Sequence, residues 1–400
     1  MKQFCTFLLS LLALSSYAQP TINTHRLDSL LTDSLFQTSQ VAVMVYDLTT
    51  DSTLYTHNHR QHMRPASTQK LITAITALHY LSPRYELQTK LYSKGEVEGR
   101  TFKGRLYCVG GFDPMFEEAD MEAFVTAVKA LEVDTIVGQI CADKTMRSSE
   151  RLGEGWCWDD KNPVLSPLLY KRNDKFADVL LQQLRKAGIV IVANGSSLVA
   201  DRECPRDAKV LCRRVHTLPE VLRPMMKESD NLYAEAVFYQ LAAIQHPQGA
   251  HAKQARRWVK ELLSNIGISE EDYRVADGSG LSLYNYTTAE IETLLLRFAF
   301  QHAGVFHTLN ASLPIAGVDG TLKKRMKGTR AENVVRAKTG TLTGIYTLAG
   351  YATAANGHRL CFAIMNQGVM HATPARNFQD KVCQLLCEGV ESTTETQITK

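Results

Sequence analysis

Hydrophobic and polar positions divide this chain into segments with two different periods. From Val41 the string VAVMVYDL alternates as a half-buried strand, Thr49 to Ser52 reads as a turn, and Thr53 to His57 returns as a second strand. This predicts an opening hairpin. After Pro65, the segment STQKLITAITALHYL places Leu71, Ile72, Ile75 and Leu78 at helical spacing among alanines. It is apolar almost all round, which predicts a core helix whose first turn begins at Ser67. Helical patterns return at residues 218–226, 232–243 and 288–300, the last entered through a turn, DGSGLS, at 277–282. RAKTGTL, GIYTLAGYATA and RLCFAIMNQ then read as three strands, the last two joined through Asn356-Gly357, a strong hairpin signal. A helix over 374–387 ends the pattern, followed by a polar tail, residues 391–400, that is expected to be disordered.

The stretch between the first helix and the second half of the chain is far longer than a connection requires. It carries strand-like runs, TKLYSKGEVEG and FKGRLYCVGG, the turn-rich Gly110-Gly111-Phe112-Asp113-Pro114, a helical run over 121–131, and tryptophans at 156 and 158. We expect an inserted subdomain over residues 88–204, which divides the main domain into 19–87 and 205–390.

The N-terminus adds a location. Lys2, an apolar run over residues 4–14 and the small-residue exit Ser16-Tyr17-Ala18 describe a secretory signal peptide, residues 1–18, cleaved after Ala18. A buried amphipathic helix fits less well, because the run is apolar on all sides. Cys5 precedes the apolar run, which speaks against a lipoprotein, and no stretch reads as a permanent membrane span. The expected location is therefore the periplasm. A net charge of +4 with scattered basic residues gives no footprint for nucleic acid. Of the nine cysteines, Cys383 and Cys387 sit one helical turn apart and suit packing, whereas Cys204 and Cys212 flank an expected loop and are candidates for a bridge. There is no C-x-x-C.

Three short strings carry the candidate chemistry: Ser67-Thr-Gln-Lys70, Ser229-Asp-Asn231 and Lys338-Thr-Gly340. Spacing of three on a helix brings the Lys70 amine to the Ser67 hydroxyl, and a buried lysine beside another cation, here Lys338, can become a base at neutral pH. Ser229 and Asn231 can face one cleft, the serine to relay a proton and the asparagine to hold a backbone group, while Asp230 reads as structural. Lys338 and Gly340 share one strand face; the lysine and the Thr339 hydroxyl can bind a carboxylate, and glycine admits a ligand to the backbone. The N–H groups of Ser67 and Thr341 can together form an oxyanion hole. Each string alone is explained by a helix cap, a loop or a guarded sheet edge; the three in this order are not. His57, His59 and His62 have ligand-like spacing but no evident carboxylate nearby, so an exposed edge is the expectation. Trp156 and Trp158, beside Asp159 and Asp160, are expected to pack within the insertion.

The words around these strings make the chain similar to D-alanyl-D-alanine carboxypeptidase/endopeptidases of the penicillin-binding protein 4 type, the low-molecular-mass class C penicillin-binding proteins. They are PASTQKLITA, KESDNLYAE, ADGSGLS, LPIAGVDGTL and AKTGTLTGIYTLAGY, with GRLYCVGGFDP and IVGQICADKT in the insertion. The resemblance implies an α/β (α+β) fold of the β-lactamase/transpeptidase type, a five-stranded antiparallel sheet flanked by helices, with no cofactor or metal. It implies that Ser67 attacks a peptidoglycan stem peptide, that Lys70 is its base, that Ser229 and Lys338 carry protons, and that Asn231 and Thr339 bind substrate. β-Lactam antibiotics would be covalent inhibitors. Asp143 matches an insertion position expected to contact the diamino acid of the peptide. The sequence departs from the pattern at Leu283, where a basic residue is common, and in a shorter insertion. Two rivals share the strings: a serine β-lactamase, and a wall-binding protein with a silent site.

Overall fold

The computed structural model describes residues 24–195 and 197–388, so the expected signal peptide, with Cys5, and the polar tail lie outside the described residues. The strands are β1 (Gln40–Asp47), β2 (Ser52–His57), β3 (Glu86–Glu98), β4 (Thr101–Val109), β5 (Thr135–Asp143), β6 (Val190–Val192), β7 (Val199–Asp201), β8 (Lys209–Thr217), β9 (Arg336–Leu342), β10 (Ile345–Thr353) and β11 (Arg359–Gln367). The helices are α1 (Thr24–Leu31), α2 (Gln69–Tyr80), α3 (Glu118–Lys129), α4 (Phe176–Lys186), α5 (Leu218–Lys227), α6 (Asn231–Ala243), α7 (Ala252–Asn265), α8 (Ala289–Gln301), α9 (Ala303–Ser312) and α10 (Ala372–Glu388).

One sheet has five strands in the order β2-β1-β11-β10-β9, every pair antiparallel. This is the sheet of the transpeptidase-like α+β fold. β1 is not half-buried, as its alternation predicts, but buried on both faces from Val41 onward. Ala42, Met44 and Tyr46 point into a large core shared with α2, α5, α6, α7, α8 and α9, while Val41, Val43 and Val45 point into a second core with α1 and α10. Cys383 and Cys387 are buried in that second core, where they pack as small apolar groups. The alternation thus separates two cores, because helices cover both faces of the sheet.

The second sheet runs β6-β5-β4-β3-β8, with β7 also against β5; β3 pairs antiparallel with β4 and β8, and β5 lies parallel to β4, β6 and β7. α3 and α4 cover one face, burying Phe124, Phe176 and Leu180 against Leu106, Ile136 and Ile140. The sheet reaches past Cys204 to Thr217, and the Leu218 N–H donates to the Tyr85 carbonyl at 2.8 Å, so the two ends of this excursion meet. The expected bridge between Cys204 and Cys212 is absent: both thiols are free. Cys204 is held by its N–H on Asp143 and lines a cavity with Lys90 and Tyr92, whereas Cys212 in β8 packs against the core under α3 and α4.

Segments of the insertion also enter the main core. Phe112, Trp156, Leu165 and Leu169 belong to the helical core rather than to the insertion's own. Arg147, almost fully buried, donates to the Leu165 carbonyl at 3.0 Å and the Tyr239 hydroxyl at 3.1 Å, with its guanidinium 4.4 Å from the Tyr239 ring centre. The expected packing of both tryptophans within the insertion therefore fails: Trp156 crosses to the other core, and Trp158 is 86% exposed.

Candidate active site

Ser67 does not begin the α-helix but sits in a 3-10 turn, Ala66–Thr68, just before α2. Ala66 holds a φ of 48°, a left-handed value that a side-chain-bearing residue adopts only when its surroundings impose it. The Pro65 carbonyl is the anchor. It accepts hydrogen bonds from the Thr68 hydroxyl at 2.8 Å and from the Thr347 hydroxyl of β10 at 2.7 Å. The Thr68 oxygen also pairs with Glu292 of α8, a fully buried carboxyl that burial pushes up to about 8 and that, protonated at neutral pH, donates to it. The turn is thereby pinned to the sheet and to a helix.

One turn into α2, Lys70 is completely buried, and its Nζ lies 2.9 Å from Ser67 Oγ, 2.8 Å from Asn231 Oδ1 and 2.7 Å from the Ser279 carbonyl. Burial pulls this amine down to about 8, against the opposing charges of Asp277, Glu235 and Asp230. Lys338 is also fully buried, and burial and the charge of Lys70 push it well below its ordinary value, so the two amines disfavour each other's charged forms. Lys338 Nζ donates to Ser229 Oγ at 2.8 Å and to the Thr339 carbonyl at 2.6 Å.

Ser229 has a φ of 61°, which turns the chain so that its hydroxyl meets Lys338 while Asn231, at the start of α6, meets Lys70. Asp230 between them is structural. It caps α6 by accepting from the Leu232 N–H at 2.9 Å, and the Arg172 guanidinium of the insertion clamps it at 2.6 and 3.1 Å. The three strings therefore converge: Ser67, Lys70, Ser229, Asn231 and Lys338 form two linked amine–hydroxyl pairs, and such pairs can move protons to and from an attacking oxygen.

Thr339, Gly340 and Thr341 form the edge of this site on β9. The Thr339 hydroxyl donates to that of Thr321 at 2.8 Å, and Thr341 is exposed. These residues border a cavity of about 450 Å³ lined also by Lys323, Lys324, Arg325 and Arg376, a basic setting for an anion. At Gly340 the strand passes so close to the nucleophile turn that a β-carbon would collide with Thr347 Oγ1 and lie 2.7 Å from the Pro65 carbonyl and 3.0 Å from the Ser67 nitrogen. Gly340→Ala is expected to destabilise by about 1–3 kcal/mol through forced displacement. It should also slow modification of Ser67 by about 100-fold, because the displaced atoms position that residue. Thermal melting and active-site labelling check the two effects; labelling at the wild-type rate would mean that the strand does not set the nucleophile.

Asp143 is not part of this cluster. Its carboxylate accepts from the Thr145 N–H at 2.9 Å, the Thr145 hydroxyl at 2.6 Å and the Cys204 N–H at 2.8 Å, and it borders a separate cavity with Tyr92 and Gln240. It stands at the end of β5, where two backbone N–H groups and one hydroxyl donate to its oxygens. Nor do the histidines gather. His57 contacts Asn58 Nδ2 at 3.1 Å, and His59 lies 3.8 Å from Glu290, a carboxylate that sequence proximity could not show. At Leu283, where a basic residue was expected, the Arg64 guanidinium reaches the backbone carbonyl at 3.0 Å.

The sequence reading of DGSGLS as a simple turn missed its part in the site. Asp277 gathers the Gly280 N–H at 2.8 Å, the Ser282 N–H at 2.7 Å, Asn285 Nδ2 at 2.8 Å and Trp156 Nε1 at 2.7 Å. Glu235, in the phrase KESDNLYAE, reaches the same loop from α6. The only available signal was an acidic residue within an otherwise apolar helix.

The chain matches the D-Ala-D-Ala carboxypeptidase 3 (S13) family over residues 23–170 and 169–388. It is 30% identical to a D-alanyl-D-alanine carboxypeptidase of Actinomadura sp. over 94% of this chain and 86% of the relative, and 25% identical to one of Haemophilus influenzae over 89% and 90%. The crystal structure of penicillin-binding protein 4 from Haemophilus influenzae superposes with a TM-score of 0.80, covering 90% of this chain and 99% of that one at 22% identity. A second structure of that protein, complexed with a β-lactam, superposes with a TM-score of 0.75 at 24% identity, covering 90% and 98%. The fold is shared, and the sequence match runs through both sheets and all three strings: the chain belongs to the D-Ala-D-Ala carboxypeptidase 3 (S13) family.

Proposed function

We propose that this protein is an exported serine peptidase that cleaves the D-Ala-D-Ala end, and the related crosslinks, of peptidoglycan stem peptides through an ester on Ser67. The observation that carries this reading is the set of partners around Lys70. A neutral amine has two N–H bonds and one lone pair. Asn231 Oδ1 and the Ser279 carbonyl accept the two protons, so the lone pair faces Ser67 Oγ at 2.9 Å. The amine thus takes the hydroxyl proton as Oγ attacks the carbonyl carbon between the two D-alanines. The N–H groups of Ser67 and Thr341 stabilise the oxyanion. The C–N bond then breaks as the leaving amine receives the proton that Lys70 took up, relayed by way of Ser229, which Lys338 holds; water then attacks the ester, gives its proton to Lys70, and the departing Ser67 oxygen takes that proton back. The basic cavity beside Thr339 suits the terminal carboxylate of the departing D-alanine.

A β-lactam offers the same site a reactive amide and should acylate Ser67; the Haemophilus influenzae protein has been crystallised in complex with one. Delivery to the periplasm would come from the leader expected at residues 1–18. Among the described residues, no helix is long and apolar enough to cross a membrane. The test is mass spectrometry of purified peptidoglycan fragments incubated with the enzyme. Pentapeptides should lose terminal D-alanine and crosslinked dimers should become monomers; fragments that emerge unchanged would overturn the reading.

A further inference from the structure

The Ser279 carbonyl occupies one of the two N–H bonds of Lys70, yet the loop that carries it contributes no side chain to the reaction described above. What aims that carbonyl lies behind it. Glu235, fully buried on α6, accepts the Gly278 N–H at 3.1 Å and the Ser279 N–H at 2.8 Å on one oxygen. From α2, the Thr73 hydroxyl donates to the Gly278 carbonyl at 2.7 Å. Gly280, at φ 81°, packs so closely on the nucleophile turn that a β-carbon would collide with the Ala66 carbonyl oxygen. The peptide group before Ser279 is therefore held by Thr73 and Glu235, and the one after it, which carries the Ser279 carbonyl, is held by the Gly280 N–H on Asp277 at 2.8 Å.

A fully buried carboxyl is an expensive way to satisfy two backbone donors. Burial and the nearby Asp277 push it up to about 8, and its field reaches Lys70, which also faces Asp230 ahead of α6 and Lys338 on β9. Its position is specific: it anchors the N–H of Ser279, the residue whose carbonyl faces the amine, together with that of Gly278 just before it. We propose that Glu235 is a positioning residue of the peptidase reaction, fixing the Ser279 carbonyl so that the lone pair of Lys70 is turned toward Ser67. This rests on the function proposed above. If the carbonyl swung away, the amine would rotate and could present an N–H to Ser67 in place of its lone pair.

The experiment is stopped-flow acylation of the full-length protein by a fluorescent penicillin, with the rate constant and the final labelled fraction read separately. Glu235→Ala should acylate about 100-fold more slowly while labelling to the wild-type fraction, and D-alanine release should lose kcat with little change in KM. Glu235→Gln, which keeps an acceptor oxygen at the same reach, should stay within about threefold of wild type. Glu235→Asp keeps the charge but withdraws the oxygen by one methylene, so it should be slower than Glu235→Gln. That ordering decides the matter even if Glu235→Ala does not fold. Wild-type rates in Glu235→Ala, a normal rate with a reduced labelled fraction, or Glu235→Asp outpacing Glu235→Gln would overturn the proposal. Wild-type protein that takes no label at Ser67 would instead overturn the peptidase reading itself.

Discussion

Ser67→Ala should fold, melt within about 1 kcal/mol of wild type, and take up no β-lactam at all. The hydroxyl is partly exposed and donates one hydrogen bond to the lone pair of Lys70, whose two N–H bonds keep their acceptors on Asn231 and Ser279, so its loss removes only one of the three partners of the buried amine. The turn is held by atoms that the substitution does not touch: the Pro65 carbonyl, the Thr68 and Thr347 hydroxyls, and Glu292. Only the nucleophilic oxygen disappears. Intact-mass measurement after exposure to penicillin should show an adduct on wild type and none on the variant. A persisting adduct would assign the nucleophile elsewhere, and an unfolded variant would contradict the anchoring of the turn.

Lys70→Met should lower acylation by about 10²–10⁴-fold, the range lost when a positioned base is removed. The pH dependence of wild type identifies the group. Burial places the Lys70 amine at about 8, and only its neutral form can accept the Ser67 proton. Acylation should therefore rise about tenfold per pH unit below 8 and level off above it. Lys70→Met should lose that limb as well as the rate. A wild-type profile flat from about pH 6 to 8, or a limb retained in Lys70→Met, would exclude Lys70 as the base. The substitution also strands Asn231 Oδ1 and the Ser279 carbonyl, so melting must be followed alongside.

Much of this site can be read from the chain because its chemistry rests on short local strings. A spacing of three on a helical segment suffices to join Ser67 to Lys70, and β-rich composition suffices to place Lys338 and Gly340 on one strand. Other features depend on partners remote in sequence. Glu235 and Asp277 matter through backbone N–H groups, which leave no signature of side-chain type. Asp143 borders a cavity apart from the catalytic cluster, and the bonds its oxygens accept from Thr145 and Cys204 leave no mark in its phrase. The bridge expected between Cys204 and Cys212 failed because loop proximity along the chain says nothing about strand order. The parallel pairing of β4 with β5 was equally hidden, since it depends on which edge the chain rejoins after α3.

The meeting of Tyr85 and Leu218 gives the insertion the outline of a cassette, with entry and exit close enough to be spliced by a few residues. Its wiring denies that modularity. Trp156 shares Asp277 with the loop beside Lys70, and Arg172 clamps the aspartate that caps α6 between Ser229 and Asn231. Excision at the obvious seam would leave both acids without these partners, one of them buried, at the two points where the reaction geometry is set. Side chains of the stretch between Tyr85 and Leu218 are thus wired into the catalytic scaffold, and a minimal enzyme cut from this chain would need new partners for Asp230 and Asp277 before it needed a new substrate.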